Sequence, residues 1–286
     1  MSYLSYARKV KANKKFKTVL VEALRLHPTK AGLWIYAAKY ALEEESDMSG
    51  ARSYMQRGTR FCTTTPDLWV EYARIEMFFL AKIAARRRIL GLDKSAQQLA
   101  IEEAQKAEAE GFAGQDEIKL GDGPMIVPGA MDKVSVDEEA KIQDPMSTPA
   151  LNGAIPMAIF DAGRKQPFWC AGAAERFFDM FCQFTSVACM HKIVDHVVEA
   201  ASEAFPKDAA AWSIFIRQAV VGIDPLTAEF AAALAVVLQR LQEAQEKVKD
   251  KEELAKKTRA WVEPIVALEG LDQGVKTVLE VTLQKL

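Results

Sequence analysis

The sequence predicts an all-α protein whose helical hairpins stack side by side as a repeat solenoid. Three observations predict it. Apolar residues recur at i, i+3, i+4 and i+7 in most windows, and no clear period-2 run suggests a strand. Pro28, Pro66, Pro167, Pro206 and Pro225 fall between the periodic segments, where a missing N–H and a fixed φ end or begin helices. Two segments then align, Leu33–Tyr40 and Leu68–Glu76, with Trp34 and Trp69 35 residues apart.

The elements follow in order. Tyr3 aligns with Tyr72, which places Met1 inside the first helix of a repeat. Arg8 to Lys17 straddle the turn of that first hairpin. Trp34 opens a helix after Pro28, Ala51–Arg57 forms the helix between the two aligned segments, and Trp69 opens the next one after Pro66. A further copy begins at Trp212, six residues after Pro206, and a degenerate one at Phe168-Trp169. In Trp69, Tyr72, Ala73 and Glu76 the spacings 0, 3, 4 and 7 put all four on one helix face. Large rings fill the space between paired helices, and the alanine lets the second helix approach. One hairpin cannot bury such a face alone, so hairpins must stack. Glu76 on that face needs a partner, because an unpaired buried carboxylate is costly. Arg52 or Arg57 from the preceding helix is expected to supply it.

Composition narrows the function classes. The chain has 286 residues, 50% hydrophobic and 27% charged, with a formal net charge of −2. That is a globular balance, large enough for a real core and without a global basic coat for nucleic acid. No apolar run of membrane-spanning length occurs, and the first residues carry no apolar signal-peptide core. Cys62, Cys170, Cys182 and Cys189 make no disulfide framework, which suits a reducing compartment.

Charge is unevenly laid out. Residues 1–93 hold 17 basic and 9 acidic side chains, whereas 94–155 hold 5 and 12. Residues 95–110, rich in Ala, Glu and Gln, read as an exposed helix. Turn signals at Gly121-Asp122-Gly123-Pro124 and Pro128-Gly129 follow. The stretch 94–153 is therefore expected to be an acidic, partly disordered insertion. It separates a repeat region at 1–93 from a second at 154–286. Residues 240–259, dense in charge, read as a long exposed helix, and the amphipathic run Val275–Leu286 as a cap on the last repeat.

No constellation for catalysis or metal binding emerges. Cys182, Cys189, His191 and His196 lie close in sequence, but five residues turn a helix by 500°, so the two histidines diverge. None of the cysteines has a local base. Gly121-x-Gly123 lacks the lysine and hydroxyl residue of a phosphate loop. No enzyme activity, cofactor or small-molecule substrate is expected. Two basic clusters remain as candidates for contact with RNA or an acidic partner. Lys14, Lys15 and Lys17 belong to the first, together with Arg8, Lys9 and Lys11; Lys82, Arg86, Arg87 and Arg88 form the second. Three successive arginines cannot share one helix face, so at least one must turn into a groove or meet an acid.

The repeat pattern resembles the half-a-TPR (HAT) repeat, a motif found largely in RNA-processing assemblies. Residues 66–76 match its first helix and residues 51–66 its second. Its signature positions here are Trp34, Tyr40, Arg52, Tyr54, Arg57, Pro66, Trp69, Tyr72, Ala73, Glu76 and Trp212. Leu24–Lys30, Leu33–Tyr40, Ala51–Gly58 and Ala84–Asp93 are further similar to the U3 small nucleolar RNA-associated protein 6 family, as are residues 155–161 and 177–181. The specific likeness covers roughly 1–93 and 154–184. It implies a right-handed superhelical solenoid of antiparallel HAT/TPR-like hairpins with terminal capping helices. It also implies a nucleolar, non-enzymatic scaffold in the UTP-B part of the small-subunit processome, which serves pre-18S rRNA processing. The partners implied are other UTP-B and processome proteins, with U3 small nucleolar RNA or pre-rRNA as further candidates and no membrane. An RNA-binding module that uses the basic clusters, or a HAT scaffold of another RNA-processing machine, are the alternatives. Family members carry a region ahead of these repeats, so the chain is expected to lack it.

Overall fold

The computed structural model describes residues 12–90 and 151–285, together with Tyr6 and Val10. Among the described residues are eleven helices and no strand. In chain order they are α1 (Asn13–Leu26), α2 (Ala31–Glu44), α3 (Met48–Phe61), α4 (Pro66–Ile89), α5 (Ala154–Gly163), α6 (Ala171–Phe181), α7 (Met190–Ala204), α8 (Ala209–Gln218), α9 (Ala228–Lys247), α10 (Lys251–Val266) and α11 (Gln273–Lys285). The backbone divides into two units. One comprises Met1–Ala81 with Gly153–Leu286, the other Lys82–Asn152. Of the second, the described part is Leu151 and Asn152 together with the last turns of α4, where Arg87 is buried while Lys82, Arg86 and Arg88 are exposed. Residues 94–150, which hold most of the expected insertion, lie outside the described residues, as do Arg8, Lys9 and Lys11.

Several helices of the first unit bury one stripe. Phe16, Leu20 and Leu24 do so in α1, Ala51, Met55 and Gly58 in α3, and Phe230, Leu234, Val237, Leu241 and Ala244 in α9. Helix α8 instead buries Ala209, Ala210, Ala211, Ser213, Ile214 and Ile216 over most of its circumference. Side-chain caps start four of the helices. Asp47 accepts from Gly50 N, Asp208 from Ala210 N, Asp250 from Glu253 N and Asp272 from Gly274 N and Val275 N. Pro66 starts α4 as its first residue, where the missing N–H costs no helical bond. Gly153 precedes α5 at φ 79°, and a Cβ there would come within 2.9 Å of Ile193 Cδ1, so both backbone and space demand glycine.

Many successive helices are neighbours in space. Helix α1 packs on α2, α2 on α3, α6 on α7, α7 on α8, α8 on α9 and α10 on α11. Next-but-one helices also touch, α6 with α8, α8 with α10 and α5 with α7. A helical repeat has this pattern of near contacts. One apolar cluster runs from Ala209 through Val237 and Val262 to Leu279 and unites α8 to α11. No helix among the described residues is long and apolar enough to cross a membrane.

Two expectations are corrected. The charged run 240–259 is not one exposed helix. It spans the end of α9, a break at Val248–Asp250 and the start of α10, and it buries Leu241, Ala244, Val248, Leu254 and Thr258. The long charged side chains of this run hide an ordinary buried stripe on each helix. Phe168-Trp169 does not open a repeat helix either. Trp169 sits in a turn, its N–H bonded to Gln166 O at 3.1 Å, and the next residue, Cys170, is the extended N-cap of α6. The indole packs edge-on against Phe160 with ring centroids 5.5 Å apart.

Candidate interaction surface

The repeat face is built from equivalent positions. Trp34, Trp69 and Trp212 are each the fourth residue of their helix, in α2, α4 and α8. Trp34 Nε1 donates to Pro28 O at 2.7 Å and Trp212 Nε1 to Pro206 O at 2.9 Å, both six residues back. Trp69 differs. Its proline begins the helix instead of standing two residues before the cap, and its buried indole N–H has no hydrogen-bond partner among the described residues. The two prolines that the repeat alignment treats alike are therefore different devices.

The Trp69 face finds its polar contact elsewhere. Tyr72, Ala73 and Glu76 are all buried, as the spacing predicted, and Glu76 is 1% exposed. Arg52, not Arg57, is its partner. Arg52 Nε donates to Glu76 Oε1 and Nη2 to Oε2, both at 2.7 Å, a bidentate fork that carboxylate geometry favours. The bond to Glu76 raises the Arg52 guanidinium above its ordinary pKa. Arg52 also lies over the Phe79 ring at 5.0 Å. Burial pushes the Tyr72 phenol up against an opposing hydrogen bond from Gln56. Tyr40 is buried with its ring 4.1 Å from that of Phe16.

Arg57 instead faces an open groove of ≈ 690 Å³ formed by α1, α2 and α3. Trp34 is its floor and Tyr54 part of its wall. Trp34 stacks on Phe61 at 6.0 Å and 7° between planes. A Cβ on Gly58 would lie 2.9 Å from Trp34 Cγ, so α3 can approach the indole only because residue 58 is glycine. Sequence reasoning missed both Gly58 and Phe61. A glycine inside a periodic helix is the signal that pointed to the first.

A second missed feature is a series of ionic ties between alternate helices. Lys39 of α2 meets Glu71 of α4 at 2.9 Å, and Glu71 also holds Arg74 at 3.2 Å. Arg74 donates to Gln183 Oε1 at 2.9 Å, and Arg176 of α6 pairs with Asp67 of α4. Arg217 of α8 joins Glu175 at 3.0 Å and Asp179 at 2.7 Å on α6, and Lys257 of α10 reaches Glu175 at 2.6 Å. Burial lowers the Lys257 pKa, but Glu175 and Glu253 outweigh it and the net shift is upward.

The basic candidates divide. Lys14 and Lys15 are exposed on α1, but Lys17 pairs with Glu45 at 2.5 Å, which raises its pKa. Arg87 is buried, and Lys82, Arg86 and Arg88 are exposed. Among the residues weighed for metal, His196 Nε2 lies 2.9 Å from Asp161 Oδ1 and Cys189 is buried beneath Gly153. Burial pushes the Cys182 thiol up to about 12. Among the described residues no group of three His, Cys, Asp or Glu side chains is placed to hold a metal ion.

No family model matches the chain. Three curated proteins are similar to it. U3 small nucleolar RNA-associated protein 6 of Schizosaccharomyces pombe is 31% identical over 126 residues, 44% of this chain and 25% of that protein. The human protein named as its homologue is 31% identical over 83 residues, 29% of this chain and 14% of that protein. The homologue from Mus musculus is 28% identical over 88 residues, 31% of this chain and 15% of that protein. The matching stretch thus spans a quarter or less of each relative's length. Over that stretch the chain is similar to three proteins that share the name U3 small nucleolar RNA-associated protein 6.

Proposed function

We propose that the chain is a non-enzymatic scaffold in the assembly of the small ribosomal subunit. It holds partner proteins of the small-subunit processome, the UTP-B set among them, during pre-18S rRNA processing in the nucleolus. The observation that carries this reading is the similarity to three proteins that all bear the name U3 small nucleolar RNA-associated protein 6. The fold agrees with it. Helices paired in order, with aromatic faces joined by the Arg52–Glu76 fork, form the kind of surface that repeat proteins offer to partners. In this reading residues 1–93 and 154–286 are two parts of one HAT-type, superhelical array, and 94–153 is an insertion within it.

Direct RNA contact is the second reading. The exposure of Lys14, Lys15, Lys82, Arg86 and Arg88 favours it. It is the weaker one, since Lys17 is held by Glu45 and Arg87 is buried. The test is a tagged pull-down from cell extract, with and without ribonuclease, read by mass spectrometry. Processome proteins that survive ribonuclease are the expected result. Their loss on ribonuclease treatment would transfer the role to RNA contact, and capture of none would refute the scaffold.

A further inference from the structure

We propose that the groove between α1, α2 and α3 is a docking site for a short acidic segment of a partner protein, anchored by an aliphatic or aromatic side chain. The proposal rests on the scaffold reading and names one of its surfaces. Val21 and Phe61, 56% and 51% exposed, form an apolar lip on each side of the groove. Its floor is already built. Trp34 is fixed by its bond to Pro28 O, by the parallel Phe61 ring and by the bare backbone of Gly58, so little ordering remains to be done on binding.

Charge selects the occupant. Of the ionic groups that line the groove, Lys17 and Glu45 satisfy one another and Asp47 caps α3. Arg25 and Arg57 remain, on opposite walls, with no ion pair among the described residues. Guanidinium groups bordering an apolar trough complement carboxylates that flank an apolar anchor. Nucleic acid fits less well. Trp34 is 6% exposed, so a strand would find one largely open ring, Phe61, and no second one on which its next base could stack.

Fluorescence polarisation on the full chain tests this with three labelled probes. They are a short peptide alternating Glu and Asp with Leu and Phe, the same peptide with Lys at each acidic position, and oligouridylate. The acidic peptide is expected to bind and the lysine peptide not. The double variant Arg25→Glu/Arg57→Glu is expected to weaken binding by roughly tenfold or more and to flatten its salt dependence. Phe61→Ala weakens binding but leaves the salt dependence intact. Both arginines are exposed or line solvent, so circular dichroism should show the charge variant folded. Equal affinity for the two peptides, an unaffected double variant, or displacement of the acidic peptide by oligouridylate would each overturn the proposal. So would binding seen only after deletion of residues 94–150, which would give the groove to the chain's own acidic stretch. Failure here while wild-type chain still captures processome proteins removes the groove and leaves the scaffold. Peptide binding without such capture removes the scaffold.

Discussion

The α2 and α4 hairpin faces share a ground plan and solve different problems. Both place tryptophan fourth in the helix and alanine four residues later, and both bury them. In α2 the remaining positions are Ala37 and Ala41, and the polar work is done by the indole itself through Pro28 O. In α4 they are Tyr72 and Glu76, the indole N–H has no partner among the described residues, and the polar work falls to a carboxylate and Arg52. A repeat therefore dictates where the ring stands, while the loop before the helix decides how its polar edge is satisfied.

The largest test of this contrast is Arg52→Ala. It strands a carboxylate that is 1% exposed and should cost about 3–5 kcal/mol in urea unfolding. Glu76→Ala should cost less, because the Arg52 side chain is 31% exposed and can turn to water. Arg52→Met/Glu76→Leu should recover most of the loss. A cost for Arg52→Ala no greater than that of a surface pair would break the idea of a buried fork.

Gly58→Ala comes next. Helix propensity alone favours alanine, yet its Cβ would press on Trp34 Cγ, so a loss of about 1–3 kcal/mol is expected. The loss should shrink in a Trp34→Phe background. A stabilising Gly58→Ala would mean that α3 can withdraw from the indole freely.

Smaller and more discriminating is replacement of each tryptophan by its benzothiophene isostere, which deletes only the N–H. Thermal unfolding should fall by about 0.5–1.5 kcal/mol for positions 34 and 212. At position 69 the change should be neutral or stabilising, because a buried donor without a partner is removed. Equal effects at all three would erase the distinction between the two prolines. The smallest effect on stability, and the easiest to read, concerns the thiols. Iodoacetamide at mildly alkaline pH should modify exposed Cys170 first. Cys182, pushed up to about 12 by burial, and buried Cys62 and Cys189 should react only on unfolding.

Much of this was legible in residue spacing. The helices, the Trp69 face and the need of Glu76 for an arginine follow from periodicity and from the cost of burying charge. The choice of Arg52 over Arg57 was not legible. One turn and a half separates them on α3, and which one faces α4 depends on how the two helices cross. Trp169 misled because an aromatic pair after a proline looks the same in a turn as in a first helical turn. The run 240–259 misled because lysines and glutamates outnumber the few apolar residues that form each stripe. The basic clusters were visible as composition, but composition does not say that Lys17 has Glu45 within reach or that Arg87 turns inward.

The indole–carbonyl contact spans six residues in both places where it occurs, and each contact closes entirely within its own loop and first helical turn. Such a segment behaves as a cassette. Residues 28–34 and 206–212 should be exchangeable as blocks, whereas a single insertion inside either would swing the ring off its carbonyl. The path from Thr63 to Trp69 lacks that closure and would not accept the graft in either direction. For anyone assembling new arrays from this chain, the seams belong at the prolines that precede a cap, not at the one that begins a helix.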